Sequence, residues 1–531
     1  MHICLLPAET LLDIFATIHE DCDKPISCAT LAALARTCRK FKEPALDMLW
    51  KQIDGFGPLI SCFPEGVSNR DVQGNLTLIR PPFIREWRIF TQYAHRVRSL
   101  SFNPSKLDAI DDRVVQALIS APSPTLLPNL CRLQWLDNRE CFTPLLRCLL
   151  VPSIRSIELG TILSSHWVPS FAKSTLLTSL SARCPSIREL ECIYGFDSED
   201  SSSDAISDAV CGLRELIHLT VGVLDTRALL HLASLPSLKS LYFRTHDIDN
   251  TQTNATPTFA SQIDRVHILV PSLLILARCL RNIRFLSCRS VFLVIDDSNS
   301  ALPYDPLLIP EIIASFSECF SPALEQFSFD FDFEHHLIAL ADPRFVLAFD
   351  AVAPLLPFSR LTKLDLDWIC TSAIDDALLR RMTQSWPLLQ EFRFGSGSCW
   401  SVPPSLTFIG LTYLIQHCRG LRTIEMTFCA CSVDTNSEPF SKTIPNENVT
   451  RIFVGMSPIV DSIAVACQLH TLLPKLITVD RFGLLKDLRS TPQFQCFDEE
   501  WARVDEFLVV LTTSAEMKEN IGQAPQCSLS P

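Results

Sequence analysis

The sequence runs to 531 residues, 47% of them apolar, with 46 basic against 59 acidic side chains and a formal charge of −13. That length predicts about three or four domain equivalents or one long repeat array. The acid excess argues against nonspecific binding to nucleic acid or anionic membrane as the chain's main activity.

The 22 cysteines are scattered singly, with no Cys-x-x-Cys and one close pair, Cys429 with Cys431. Several, such as Cys131, Cys184, Cys192 and Cys288, stand at apolar-patterned positions. They read as small reduced hydrophobes, which places the chain in the cytoplasm or nucleus. The N-terminus lacks the basic stretch of a signal peptide and carries Glu9 and Asp13 inside its apolar run. The uncharged run Phe394 to Cys418 contains Pro403-Pro404, so it reads as a loop and a buried helix rather than a membrane span.

The first fifty residues pattern as three short helices. Leu11, Phe15 and Ile18 fall at helical spacing, with Pro7 at the start and Glu9 and Asp13 favouring the positive end. Leu31, Leu34, Ala35 and Cys38 form a second stripe, and Leu46, Leu49, Trp50 and Ile53 a third. So small a bundle rarely sustains its own core. Its apolar surplus is therefore assigned to another protein, and the segment to docking.

The ordered set Leu6-Pro7-x-Glu9-x-x-x-x-Ile14-Phe15, Leu31-x-x-Leu34-Ala35-x-x-Cys38-x-x-Phe41 and Leu46-x-x-Leu49-Trp50 resembles an F-box. The closing Ala45-Leu46-x-x-Leu49-Trp50 is similar to agaricomycete-type fungal members. The resemblance implies a trihelical module, residues 1–53, that binds the Skp-type adaptor of a cullin-RING ubiquitin ligase. By position it makes Leu6, Pro7, Glu9, Leu12, Ile14 and Phe15 the first half of the adaptor surface. Leu31, Leu34, Cys38 and Trp50 become its second half or supporting core. The connection from His19 to Thr30 is longer than many members have.

Residues 54–92, punctuated by glycine and proline, read as a mostly irregular linker. From Val97 a unit recurs: apolar, two others, apolar, one other, apolar. Examples are Leu130-Leu133-Trp135, Ile187-Leu190-Cys192, Leu238-Leu241-Phe243, Ile283-Leu286-Cys288 and Leu389-Phe392-Phe394. The last three positions have the two-residue period of a half-buried strand. Proline stands two residues before the first apolar position at Pro128, Pro152, Pro185, Pro236, Pro322, Pro387 and Pro474. Helical patterns at Asp225 to Leu235, Leu307 to Phe320 and Ala373 to Trp386 precede such prolines, giving a unit of helix, turn and strand.

The unit resembles a divergent leucine-rich repeat, which Leu130 to Asn138 and Leu421 to Cys429 match in spacing. The fold class expected is α/β: a trihelical F-box followed by an irregular solenoid of parallel strands with outer helices. The solenoid should span 93–485, followed by a C-terminal cap at 486–511 and a disordered tail at 512–531. The polar stretches Gly195 to Asp208, Asn250 to Phe259 and Ser432 to Asn448 are expected as surface excursions.

No phosphate-binding, dinucleotide-binding or nucleophile-elbow motif occurs. The cluster Asp330-Phe-Asp332-Phe-Glu334-His335-His336 offers metal-ligating types, but its acids alternate with phenylalanines as the wet face of a strand would. Asp365 and Asp367 repeat that arrangement. The expected function is a noncatalytic substrate receptor of an SCF-type ligase, without cofactor, holding a protein substrate on its repeats. The alternatives are a repeat scaffold or adaptor-bound regulator without a ligase role, and, with least support, an enzyme in the α/β region.

Overall fold

The computed structural model describes residues 6–21, 24–70, 76–103, 112–160, 166–194, 202–245, 256–295, 306–331, 346–397, 403–433, 438–481 and 492–522. They form two compact units, divided after Leu238.

The first unit opens with α1 (Ala8–Asp21), α2 (Lys24–Thr37) and α3 (Arg39–Lys51). Leu11, Phe15, Leu31, Phe41 and Ala45 make a core of their own, which Leu6, Ile18, Leu34, Cys38 and Leu49 partly cover. The Phe15 ring stands edge-on to Phe41, centroids 5.6 Å apart. The box is thus better supplied with interior than its size suggested. Part of the apolar surplus assigned to a partner closes this core instead.

From α3 the chain passes directly into β1 (Gln52–Asp54), which pairs in parallel with β2 (Ser99–Phe102), Ile53 opposite Leu100. The stretch expected as an irregular linker is therefore ordered where it is described. Phe56, Leu59, Ile60, Phe63, Val67, Leu76 and Leu78 are buried, and Ser68–Arg70 pairs antiparallel with Leu76–Leu78. Its turn residues bend a packed chain rather than loosen it.

The helix Ile84–Ala94 closes this region, with Trp87 and Phe90 buried. Glu86 accepts the Phe83 amide hydrogen at 2.6 Å and two Arg80 guanidinium hydrogens at 2.9 and 2.7 Å. Arg80 and the Phe83 amide hold the Glu86 carboxyl down at about 2, against an ordinary 4.5. A depressed carboxyl stabilises the fold above its unfolded value and loses that contribution as pH falls through the folded one. Urea midpoints should therefore show Glu86→Gln below the parent at neutral pH, with the gap closing between pH 4.5 and about 2. A gap unchanged at pH 2 would show that the charge is not what stabilises this turn.

After β2 the same parallel sheet continues with β3 (Arg132–Trp135), β4 (Ser156–Leu159), β5 (Glu189–Tyr194) and β6 (His218–Val223). Leu100, Leu133, Ile157, Leu190 and Leu219 stand in one row across it, all buried. The proline rule has a simple cause. Val151-Pro152-Ser153-Ile154 is a turn closed by the Ile154 amide on the Val151 carbonyl at 3.1 Å, and Leu127-Pro128-Asn129-Leu130 is closed alike at 3.2 Å. Proline pre-sets the backbone at the second turn position, and the strand begins two residues after the fourth.

The second unit repeats this plan with β7 (Ser240–Arg244), β8 (Ile263–Val270), β9 (Cys288–Ile295), β10 (Gln326–Phe331), β11 (Lys363–Leu366), β12 (Glu391–Phe394), β13 (Thr423–Met426), β14 (Arg451–Phe453) and β15 (Thr478–Asp480). All pair in parallel with their sequence neighbours. Helices such as Leu273–Arg281, Asp376–Ser385, Phe408–His417 and Ser462–Leu472 connect them. The side chains of Ser272, Asp375, Thr407 and Asp461 cap those helices at their N-termini.

One repeat differs from its sequence expectation. Ile283-Leu286-Cys288 is not a unit, because Val266 lies opposite Leu241 and Val291 opposite Val266. The true units are Ile263-x-x-Val266-x-Ile268 and Cys288-x-x-Val291-x-Leu293, 25 residues apart. Leu286 is 57% exposed, whereas Leu293 is fully buried. Leu293→Ala should cost about 2–5 kcal/mol. Leu286→Ala should stay within about 0.5 kcal/mol, and chemical denaturation of the pair would reveal a wrong register as reversed costs.

Residues 195–201, 250–255 and 434–437, in the expected excursions, lie outside the described residues. Of the rest, Ser202–Cys211 is helical, Thr258–Phe259 is a short strand and Glu438–Lys442 a short helix. The C-terminal helix runs Pro492–Gly522, well past the expected start of a disordered tail, of which 523–531 lie outside the described residues.

Candidate protein-docking surfaces

α1 and the two residues before it present Pro7, Glu9 and Ile14 to solvent, Ile14 at 36% exposure, and leave Leu6 and Leu12 half-buried. Phe15 is inside: its helical partner Leu11 and the Phe41 ring fix that face inward, so it offers no adaptor surface. Leu31 is likewise interior, as a supporting core residue, and Leu34 and Cys38 pack against the same cluster. Trp50 stacks on Tyr93, centroids 4.8 Å apart, and so joins the box to the helix before β2. Sequence reasoning missed Ile26, 58% exposed near the start of α2. Its place opposite the Leu31 and Leu34 stripe is the signal that would have found it.

Arg96 fastens the box from the repeat side. It bonds the carboxylates of Glu43 and Asp47, both on α3, and the Glu43 carbonyl at 3.4 Å. Its guanidinium lowers the Glu43 carboxyl from its ordinary value. The open faces of α1 and α2 are thus presented on an anchored base.

The second surface is the open face of the strands, built from the positions between buried residues. In the first unit one register row holds Gln52, Ser99, Arg132, Ser156, Glu189 and His218. The next holds Ser101, Gln134, Glu158, Glu191 and Thr220. Together they line a trough of about 530 Å³. Ser101 donates to Gln134 at 2.6 Å, and Gln134 donates to Glu158 at 2.9 Å. Burial, then the nearby Glu158 charge, pushes the Glu191 carboxyl up.

In the second unit the corresponding rows carry matched charges. Lys363 pairs with Glu391 at 3.1 Å, and Arg393 lies between Asp365 and Glu425 at 3.8 and 3.2 Å. Burial raises both the Asp365 and Glu425 carboxyls. Tyr242, His267 and Phe292 form an aromatic run on the same face, with centroids 4.5 and 5.9 Å apart. None of these residues was singled out in sequence except Asp365. The signal was present in the two variable positions of each strand, which pattern analysis had used only as polar spacers.

The acid-and-histidine cluster divides. Asp330 is exposed between buried Phe329 and Phe331, as a wet strand face requires, while 332–336 lie outside the described residues. Asp365 and Asp367 are not solvated as expected. Asp365 is buried, and Asp367 accepts the Ser396 amide at 2.9 Å and the Ser396 hydroxyl. The chain folds back at Gly395 to make that contact. No group of three or more His, Cys, Asp or Glu that could hold a metal ion occurs among the described residues. No helix of the described residues is long and apolar enough to cross a membrane.

A three-helix box followed by parallel strand–helix repeats defines an α/β repeat protein with a helical N-terminal module. The family model that matches is the F-box-like domain, over residues 3–55, and the chain carries that domain there. No curated protein matches in sequence. Among solved structures, the chain is similar to one from the complex of Rad7 and Elc1 in yeast, with 12% identity and a TM-score of 0.33, covering 74% of this chain and 92% of that one. It is also similar to a leucine-rich-repeat protein of Leptospira interrogans, with 11% identity and a TM-score of 0.35, covering 81% and 99%.

Proposed function

We propose that the chain is the substrate-recognition subunit of an SCF-type cullin-RING ubiquitin ligase. The F-box-like segment docks the Skp-type adaptor, and through it the cullin-RING scaffold, with Pro7, Glu9 and Ile14 outermost and Leu6, Leu12, Leu34 and Cys38 behind them. The repeats hold a protein substrate on their open strand faces. The chain performs no bond chemistry of its own; its contribution is proximity, bringing a substrate lysine near the ubiquitin carrier. It works in the cytoplasm or nucleus, in keeping with cysteines such as Cys184, Cys279 and Cys418 placed as buried hydrophobes.

The observation that carries this proposal is the F-box-like match over 3–55 on helices whose Pro7, Glu9, Ile14 and Ile26 stay exposed after the box has closed its core. The test is co-expression of the full chain with a Skp-type adaptor, followed by size-exclusion chromatography. A stable one-to-one complex supports the role. A well-folded chain that elutes alone defeats it.

A further inference from the structure

The open strand faces of the two units are built alike but charged differently. In the second unit Lys363 answers Glu391, and Arg393 stands between Asp365 and Glu425. In the first, Glu158 and Glu191 face one another in register on β4 and β5. Like charges directly opposite on a sheet are destabilising. Among the described residues no cation pairs with either carboxylate, nor with Glu189, two residues before Glu191 on the same face. Arg132 lines the same trough without joining any of the three in an ion pair. Gln134, itself held by the Ser101 hydroxyl, donates to one Glu158 oxygen at 2.9 Å. It fixes that carboxylate but leaves its charge unanswered. Glu191 is exposed at the mouth of the trough. The trough's volume of about 530 Å³ lies within the roughly 300–1,000 Å³ of ligand sites.

We propose that this trough receives an extended, basic segment of a protein partner, one arginine or lysine of which lies between Glu158 and Glu191. The proposal rests on the reading of the strand faces as the substrate-binding side and adds the chemistry of the substrate. Adjacent strands lie about 4.8 Å apart. A guanidinium carries its donors in a planar fork, so it can bond carboxylates on two such strands together. Charge-assisted bonds of this kind are about twice as strong as neutral ones. The bound cation also removes the repulsion that the free chain carries. It would draw back down the Glu191 carboxyl, which burial and Glu158 push up. Ser99, Ser156 and Thr220, around the acids, offer neutral donors and acceptors to the segment's backbone. The same lining repels a phosphorylated or acidic segment.

Fluorescence anisotropy would follow a labelled dodecapeptide of alternating serine and arginine binding to the full chain at about 0.15 M salt. A peptide of alternating serine and glutamine is the neutral control. The parent should bind the arginine peptide at least about tenfold more tightly than the control. Glu158→Gln with Glu191→Gln should abolish most of that preference and melt no lower than the parent, because a repulsion has gone. Glu318→Gln with Glu447→Gln removes the same charge at exposed sites outside the trough and should change binding less than about twofold.

The proposal is overturned if the parent shows no preference, or if both double variants lose it equally, which would be net charge alone. A trough variant that melts lower than the parent also overturns it, since the acids then have an internal partner. So does a parent dimer that the trough variant dissolves, because a second copy then fills the site. Adaptor binding by the same chains reports the ligase reading separately. A chain that holds the adaptor but not the peptide defeats this proposal alone, and one that holds the peptide without the adaptor defeats only the ligase reading.

Discussion

Ile14→Asp and Phe15→Ala, adjacent in α1, should fail in opposite ways. Phe15 fills the box core against Leu11, Leu31 and Phe41. Its truncation should cost about 3–5 kcal/mol. A three-helix module of this size has little stability to spare. Amide exchange across 8–51 should accelerate, and adaptor binding should go with it. Ile14 is 36% exposed and belongs to no part of that core. An aspartate there should leave stability within about 0.5 kcal/mol of the parent. At the centre of an adaptor interface the same change should weaken binding by more than about 2 kcal/mol, roughly thirty-fold in Kd. Calorimetric titration with the adaptor, read beside a thermal melt, separates the two. Unaltered binding by a folded Ile14→Asp chain would remove α1 from the adaptor surface.

That Ile14 is exposed and Phe15 buried could not be read from the sequence, for a physical reason. Helical spacing shows which residues share a face but not which of two apolar faces turns inward. Phe15 and Ile14 both pattern as apolar surface, and only the Phe41 ring decides between them. The strand repeats were more legible, because a one-residue slip would bury polar side chains, so alternation fixes register. That logic failed at β8, where Ala260-Ser261-Gln262-Ile263 lacks the proline turn and the Ile263 amide bonds Ser287 instead. With that cue missing, Leu286, although apolar, was read as interior. Asp365 shows the converse limit: alternation put it on the wet face, but Arg393 and the neighbouring strands close over it. The described residues of 54–92 hid their order because buried hairpins and turns need the same glycines and prolines as a loop.

The second large effect lies at the far end of the second unit. Trp501 is buried, its indole donating to the Ser457 carbonyl at 2.8 Å and standing edge-on to Phe428 at 6.0 Å. Val504 and Leu508 continue the buried stripe, and between them Asp505 accepts the Val479 amide of β15 at 2.9 Å. β15 is the last strand of its sheet, and an open edge invites pairing with another chain. The helix thus covers core and edge together. Trp501→Ala should cost about 3–5 kcal/mol, detach the helix and produce concentration-dependent association by light scattering. Asp505→Ala separates the two roles: it should cost only about 1 kcal/mol yet still promote association, since the Val479 amide hydrogen loses its acceptor and is free to donate to another chain. If Asp505→Ala stays monomeric while Trp501→Ala aggregates, exposed core rather than the strand edge drives association.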